Sequence, residues 1–165
     1  KETVGMVTQD GHLFHESIRS NLLLAAPDAT DADVWEALER ARLADVVADM
    51  PDGLDTVVGE RGYRLSGGQR QRLTIARVLL ASPQVVILDE ATSALDAATE
   101  YALHEALGRF LNGRTTLIVA HRLSAVKQAD RVLVFDGGSI AEDGDHQQLI
   151  AEGGLYAKLY GHLQH

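Results

Sequence analysis

The apolar run Val85-Val86-Ile87-Leu88 ends in two carboxylates, Asp89 and Glu90, and that junction is where the sequence could do chemistry. A continuous β-branched run of this kind reads as a strand buried on both faces, which favours a parallel sheet. Open α/β sheets bind ligands at the carboxyl ends of their strands. Asp89 could there position a divalent cation and Glu90 polarise a water; two solvated acids at a strand end would read the same way. The stretch Leu65-Ser66-Gly67-Gly68-Gln69 is a second candidate. Its glycines free the backbone and a helix follows at once, exposing unpaired N–H groups and the positive end of the helix dipole to an anion. Ser66 and Gln69 add side-chain donors. A Ser-capped helix after a turn is the plainer reading. His121 follows the strand-like Leu117-Ile118-Val119-Ala120, which brings it to the same sheet edge as Asp89 and Glu90. There it could bond a phosphate oxygen and orient a water, or simply cap a loop. Gln9 follows Val4–Val7 in the same manner, its neutral amide suited to a metal-bound water and a partner surface, or to a plain turn. His12, His15, His104, His146, His162 and His165 show no ligand spacing and read as surface groups.

The elements that must position these groups fall into two styles. Up to about Leu65 the pattern is mostly helical. Ser17 can cap a short helix through Leu23, and Thr30 or Asp31 a second one carrying Val34, Trp35, Leu38 and Ala41. A helix runs from Ser66-Gly67-Gly68 to about Leu80 and stops at Pro83. Asp96 can cap another, with Leu103, Leu107 and Phe110 on one stripe. Thr115–Ala120 and Arg131–Phe135 read as further buried strands, and Gly137-Gly138 as a tight turn into an edge strand over Ser139–Glu142. From about Gln147 the chain reads as helical with a break at Gly153-Gly154. The alternation after Pro83 means an α/β fold.

Composition excludes several classes. The 165 residues suffice for one domain with a core. A net charge of −9 argues against a nucleic-acid backbone as the default partner, without excluding phosphate bound by backbone N–H groups. With no cysteine, disulfides, thiolate nucleophiles and Cys-ligated zinc are ruled out. No segment approaches the ~20 apolar residues of a membrane span. The start lacks an initiator Met and opens almost directly into a strand-like stretch, the mark expected of a piece of a longer protein.

Taken together these stretches resemble the ATP-binding-cassette (ABC) transporter ATPases. Leu65-Ser66-Gly67-Gly68-Gln69 followed by Val85–Glu90 is similar to their signature and Walker B motifs. Gln9 matches the Q-loop glutamine, Asp89 the Walker B aspartate, Glu90 the catalytic glutamate, Ser93-Ala94-Leu95-Asp96 the D-loop and His121 the switch histidine. Thr56-Val57-Val58-Gly59-Glu60-Arg61-Gly62 resembles the loop before the signature in exporter-type cassettes. Leu13-Phe14, Ser17-Ile18-Arg19, Asn21 and Gly144-Asp145-His146 with Leu149 point the same way.

The resemblance implies a P-loop NTPase-like, mostly parallel sheet with an inserted α-helical subdomain. Residues 1–11 and 83–165 would form a truncated core and residues 12–82 the helical part with the signature. It implies ATP and Mg²⁺ as ligands of the parent protein and a second cassette paired head to tail. It also implies a transmembrane domain docking near Gln9–Arg19 and Glu60, and a place at the cytoplasmic face of the membrane. Ser66, Gly67, Gly68 and Gln69 would serve a nucleotide held by the opposite cassette, with Asp96 crossing the interface. Asp89 and Gln9 would serve the metal, and Glu90, His121 and Gln9 the catalysis. The family pattern starts earlier, with an adenine-stacking aromatic residue, a strand and a phosphate loop.

The phosphate-loop motif needs Lys followed by Ser or Thr. Lys1, Lys127 and Lys158 are followed by Glu, Gln and Leu, so these 165 residues do not contain it. The chain alone is therefore expected to bind ATP weakly or not at all, to hydrolyse none, and to self-associate through uncovered sheet surface. An alternative is a non-catalytic module that lends its signature in trans or docks on a membrane partner. The exporter-like stretches argue against a DNA-repair or ribosome-associated relative.

Overall fold

A computed structural model describes residues 3–8, 12–59, 61–89, 98, 101, 107–120, 126–127 and 129–163. The chain divides into two compact units, Lys1–Val119 and Ala120–His165.

In the first unit, β1 (Val4–Val7) is followed by three short helices, α1 (Ile18–Leu23), α2 (Asp31–Arg40) and α3 (Ala44–Ala48), and a 3-10 turn at Gly53–Asp55. Then come α4 (Gly67–Ala81), β2 (Val85–Asp89), a helical stretch at 107–111 and β3 (Thr115–Val119). The helices start where side-chain oxygens can cap them. Ser17 accepts from the Ser20 N–H at 3.0 Å, so Ser17 is the α1 cap, and Thr30 rather than Asp31 caps α2. On α2 the Asp33 carboxylate reaches back to the Thr30 N–H at 2.8 Å, completing a capping box. Arg19 on α1 pairs with Asp31 and with Asp55 (3.0 Å), tying the three short elements together. Ile18, Leu22, Leu38, Leu43, Val47 and Leu73 are fully or almost fully buried in the resulting core, which continues into Val7, Val86 and Leu88 of the sheet.

The sheet is parallel, as the apolar runs predict, and its strand order is β1-β2-β3. Its register puts Gly5, Val7, Val86 and Leu88 on one face and Val4, Met6, Ile87, Leu117 and Val119 on the other. On the first face Gly5, Val7, Val86 and Leu88 are buried, while Thr116 and Ile118 of β3, on the same side, are half-buried and 37% exposed. On the second, Val4, Met6, Leu117 and Val119 are 45–55% exposed. The expectation that Thr115–Ala120 is a buried strand is therefore corrected. β3 is an edge strand among the described residues, exposed at four of its five positions. Val85–Leu88 is likewise buried at alternate positions, Val86 and Leu88, and only half-buried at the others.

The second unit holds β4 (Val132–Asp136), β5 (Ser139–Gly144), α5 (His146–Glu152) and α6 (Leu155–Leu163). β4 and β5 form an antiparallel hairpin with a register shift at Val134/Phe135. Its turn is Gly137-Gly138, with φ of 55° and 81°, a left-handed pair that glycine adopts without strain. Here too a buried strand was expected at Arg131–Phe135. Val134 alone on β4 is buried, and Phe135 is 66% exposed. An apolar run tells which side chains could be buried, not whether a second layer covers them. His146 also departs from the surface reading, because its Nδ1 lies 2.8 Å from the Tyr156 hydroxyl and its ring contacts Tyr156 and Tyr160.

Candidate functional site

The anion-binding end predicted at Ser66–Gln69 is built from local interactions. Ser66 has extended backbone and its Oγ accepts from the Gln69 N–H at 3.1 Å; the Gln69 Oε1 accepts from the Ser66 N–H at 2.9 Å. The Arg70 N–H goes to the Ser66 carbonyl at 2.9 Å. Of the donors in the first turn, this leaves the N–H groups of Gly67 and Gly68 with no acceptor in the helix. Gly67 is exposed and Gly68 half-buried, and neither carries a side chain of its own to cover its N–H. The dipole of the 15-residue helix adds its positive end at the same point. The structure refines one expectation. Gln69 spends its side-chain oxygen on the cap, so its contribution to a ligand is limited to the amide nitrogen, whereas Ser66 keeps its hydroxyl proton to donate.

The strand edge is built by long-range register instead. Val7 pairs with Leu88, and Asp89 with Val119, so the three parallel strands finish at one edge of the sheet. Asp89 is half-buried there. Gln9, Glu90, Asp96 and His121 lie outside the described residues. Among the described residues no group of three His, Asp or Glu side chains is arranged to hold a metal ion by itself.

A third feature joins two stretches that the sequence flagged separately. The backbone around Phe14–Ile18 pairs with Thr56–Val58: Ile18 N–H to the Thr56 carbonyl at 3.0 Å, Val58 N–H to the Glu16 carbonyl at 2.9 Å. Asn21, fully buried, ties the first stretch down. Its Oδ1 accepts from the Phe14 N–H (2.9 Å) and its Nδ2 donates to the Phe14 and Ser17 carbonyls (3.0 and 3.1 Å). Gly59, at φ 99°, passes so close to His15 that a Cβ would stand 2.9 Å from the His15 Cα. The paired loops present Phe14, Val57 and Tyr63 at 44–49% exposure. Asn21 was legible only as part of a phrase; its role as the buried pin comes from the structure. Gln71, fully buried in the second turn of α4, had no signal in the sequence beyond its neighbours.

Comparisons with known proteins agree with this geometry. A family model described as ABC transporter matches residues 1–93. The uncharacterized ABC transporter ATP-binding protein YwjA of Bacillus subtilis is 51% identical over 157 residues, covering 95% of this chain and 27% of that protein. Putative multidrug export ATP-binding/permease proteins of Staphylococcus aureus are 50% identical over 160 residues, covering 97% of this chain and 28% of theirs. The solved structure of a bacterial Atm1-family ABC exporter with ATP bound superposes with a TM-score of 0.89 at 42% identity, over 97% of this chain and 28% of that one. The chain thus spans little more than a quarter of the length of these relatives. The signature-like helix start, the parallel strands ending at Asp89 and the matched family model lead to one statement: this chain belongs to the ABC transporter family.

Proposed function

We propose that this chain works, within a longer polypeptide, as part of the ATP-hydrolysing domain of an exporter at the cytoplasmic face of a membrane. The observation that carries the reading is the α4 start, where Gly67 and Gly68 offer two N–H groups without an acceptor in the helix, beside the Ser66 hydroxyl. An anion site of that kind suits the terminal phosphate of a nucleotide gripped by another cassette. Asp89 and Gln9 would serve Mg²⁺, Glu90 would act as base, His121 would hold the terminal phosphate, and Asp96 would cross to the partner cassette. Bound Mg²⁺-ATP would supply the phosphoryl group and the charge neutralisation.

Residues 12–82 would form the helical subdomain, and 1–11 with 83–165 the core. The exposed Phe14, Val57 and Tyr63 on paired loops favour docking of a transmembrane domain on that surface. The isolated chain would bind ATP weakly and associate with itself through the open face of the sheet.

The test mixes this chain with a full-length cassette transporter whose own signature is disabled. ATP hydrolysis that returns with this chain, and fails to return with its Gly68→Asp variant, supports donation of the signature in trans. No recovery at any ratio rejects it. Titration calorimetry of the chain alone with Mg²⁺-ATP checks the second part, for which micromolar affinity would be the wrong answer.

A further inference from the structure

The far end of α4 is held by one side chain that neither the motifs nor the proposed function uses. Arg114 precedes β3 and reaches across the joint between α4 and β2. Its Nε donates to the Pro83 carbonyl at 2.9 Å and its Nη2 to the Ser82 Oγ at 2.8 Å, while Nη1 bonds the Phe110 carbonyl. The guanidinium also lies 4.1 Å from the centroid of the Phe110 ring, which Arg40 of α2 approaches at 5.7 Å. One planar fork therefore spans the end of α4, the lead into β2 and the end of the helical stretch 107–111, as a guanidinium can and an ammonium cannot. Its charge sits at the C-terminal ends of two helices, where a cation is favoured.

The joint is tight on its other side as well. Pro83 is buried, and a Cβ on Gly5 of β1 would stand 2.6 Å from the Pro83 Cγ and 3.2 Å from the Val78 Cγ1. Ser82, the α4 C-cap, holds a left-handed φ of 48°, a conformation unfavourable for a side chain and here accompanied by the bond from Arg114. Beyond this joint α4 is a rod about 22 Å long, so a tilt of about 3° at Ser82 moves its first turn by about 1 Å.

We propose that Arg114 is a positioning residue for the α4 anion site: by fixing α4 against the sheet it sets where the Gly67 and Gly68 N–H groups stand relative to Asp89. This rests on the function proposed above for that helix start, but its primary test needs no nucleotide. Spin labels at the exposed Thr3 and Arg70 report the distance from β1 to the first turn of α4. Arg114→Ala is expected to shift and broaden the distance distribution. Leu38→Ala, which destabilises the helical core without touching the joint, leaves it as in the unaltered chain. Arg114→Lys, keeping the charge but not the fork, and Ser82→Ala, losing one contact, fall between, and they carry the test should Arg114→Ala not fold. A distribution that Arg114→Ala and Arg114→Lys leave unmoved, or move no more than Leu38→Ala does, overturns the proposal. In the mixed-cassette assay the same Arg114→Ala change is expected to lower kcat by about 100-fold with KM for ATP little altered, the cost of a misplacement near 1 Å. A chain that donates nothing even unaltered sinks the proposed function and leaves the distance result standing.

Discussion

The two faces of the β1-β2-β3 sheet are made from the same kinds of residue and meet opposite fates. Gly5, Val7, Val86 and Leu88 lie under α4 and the core that continues from it, and all are buried. Val4, Met6, Leu117 and Val119, one position out of phase, are about half exposed. Because side chains alternate along a strand, register decides which half of an apolar run is covered. The covered face is where the chain has its own second layer. The open face carries the same hydrophobicity with no layer over it among the described residues of the first unit, and only Asp89 brings charge to it.

One substitution on each face should give the largest difference between them. Leu88 and Leu117 occupy adjacent strands, 7% and 55% exposed. Leu88→Ala should cost about 2–5 kcal/mol in urea unfolding, the range for emptying a buried leucine site. Leu117→Ala should cost under about 1 kcal/mol, because half its surface never leaves water. Equal losses would mean that the open face is covered in solution, by another copy of the chain or by a rearranged segment.

Leu117→Lys and Met6→Lys test that cover directly. If the open face drives self-association, sedimentation should show the unaltered chain growing in mass with concentration and either lysine variant shifting toward monomer. An unaltered chain that stays monomeric across the range would show that the open face does not drive self-association.

How far the sequence could be read follows the same division between local and distant causes. Ser17, Thr30 and Ser66 announce their helices because a cap needs only the next three residues. Gly137-Gly138 announces its turn for the same reason. The parallel character of the sheet was legible from the apolar runs, and with it the strand end that Asp89 occupies; the order β1-β2-β3 was not. The exposure of β3 and β4 was not legible, because Thr115–Val119 and Val132–Phe135 carry no mark of whether a layer lies over them. Asn21 and Arg114 were missed as pins for a related reason. Each acts on partners brought near by folding: Asn21 on the carbonyls of an irregular loop, Arg114 on residues some 30 positions away in sequence. Gln9, Glu90, Asp96 and His121 rest on the motif resemblance, and mutating the matching positions of a complete cassette transporter is what tests them.

A smaller effect concerns the two helices of the first unit that begin in capping boxes, α2 and α4. Ser66→Ala should destabilise the chain by about 1 kcal/mol, since it leaves the Gln69 N–H without its acceptor. Chemical denaturation reads this against the unaltered chain. A loss indistinguishable from zero would mean that water caps α4 as well as Ser66 does, and the anion site would then be less ordered than its geometry implies.

The smallest effect separates the caps by pH. In both boxes the third helical residue reaches back to the cap N–H, but in α2 it is a carboxylate, Asp33, and in α4 an amide, Gln69. Bonds from the Thr30 hydroxyl and N–H hold the Asp33 pKa below its ordinary value. A carboxylate with a depressed folded-state pKa contributes stability that is present above its unfolded value and lost as pH falls through the folded one. Acidification into and below the usual carboxylate range should therefore loosen α2 while leaving the Ser66–Gln69 box of α4 untouched. Amide hydrogen exchange followed residue by residue would show protection at the start of α2 falling relative to the start of α4. Asp33→Asn should abolish that difference by giving α2 a neutral cap of its own. If both helix starts lose protection in parallel, the acid response belongs to the unit as a whole, and the carboxylate in the α2 box adds nothing that the amide in α4 does not.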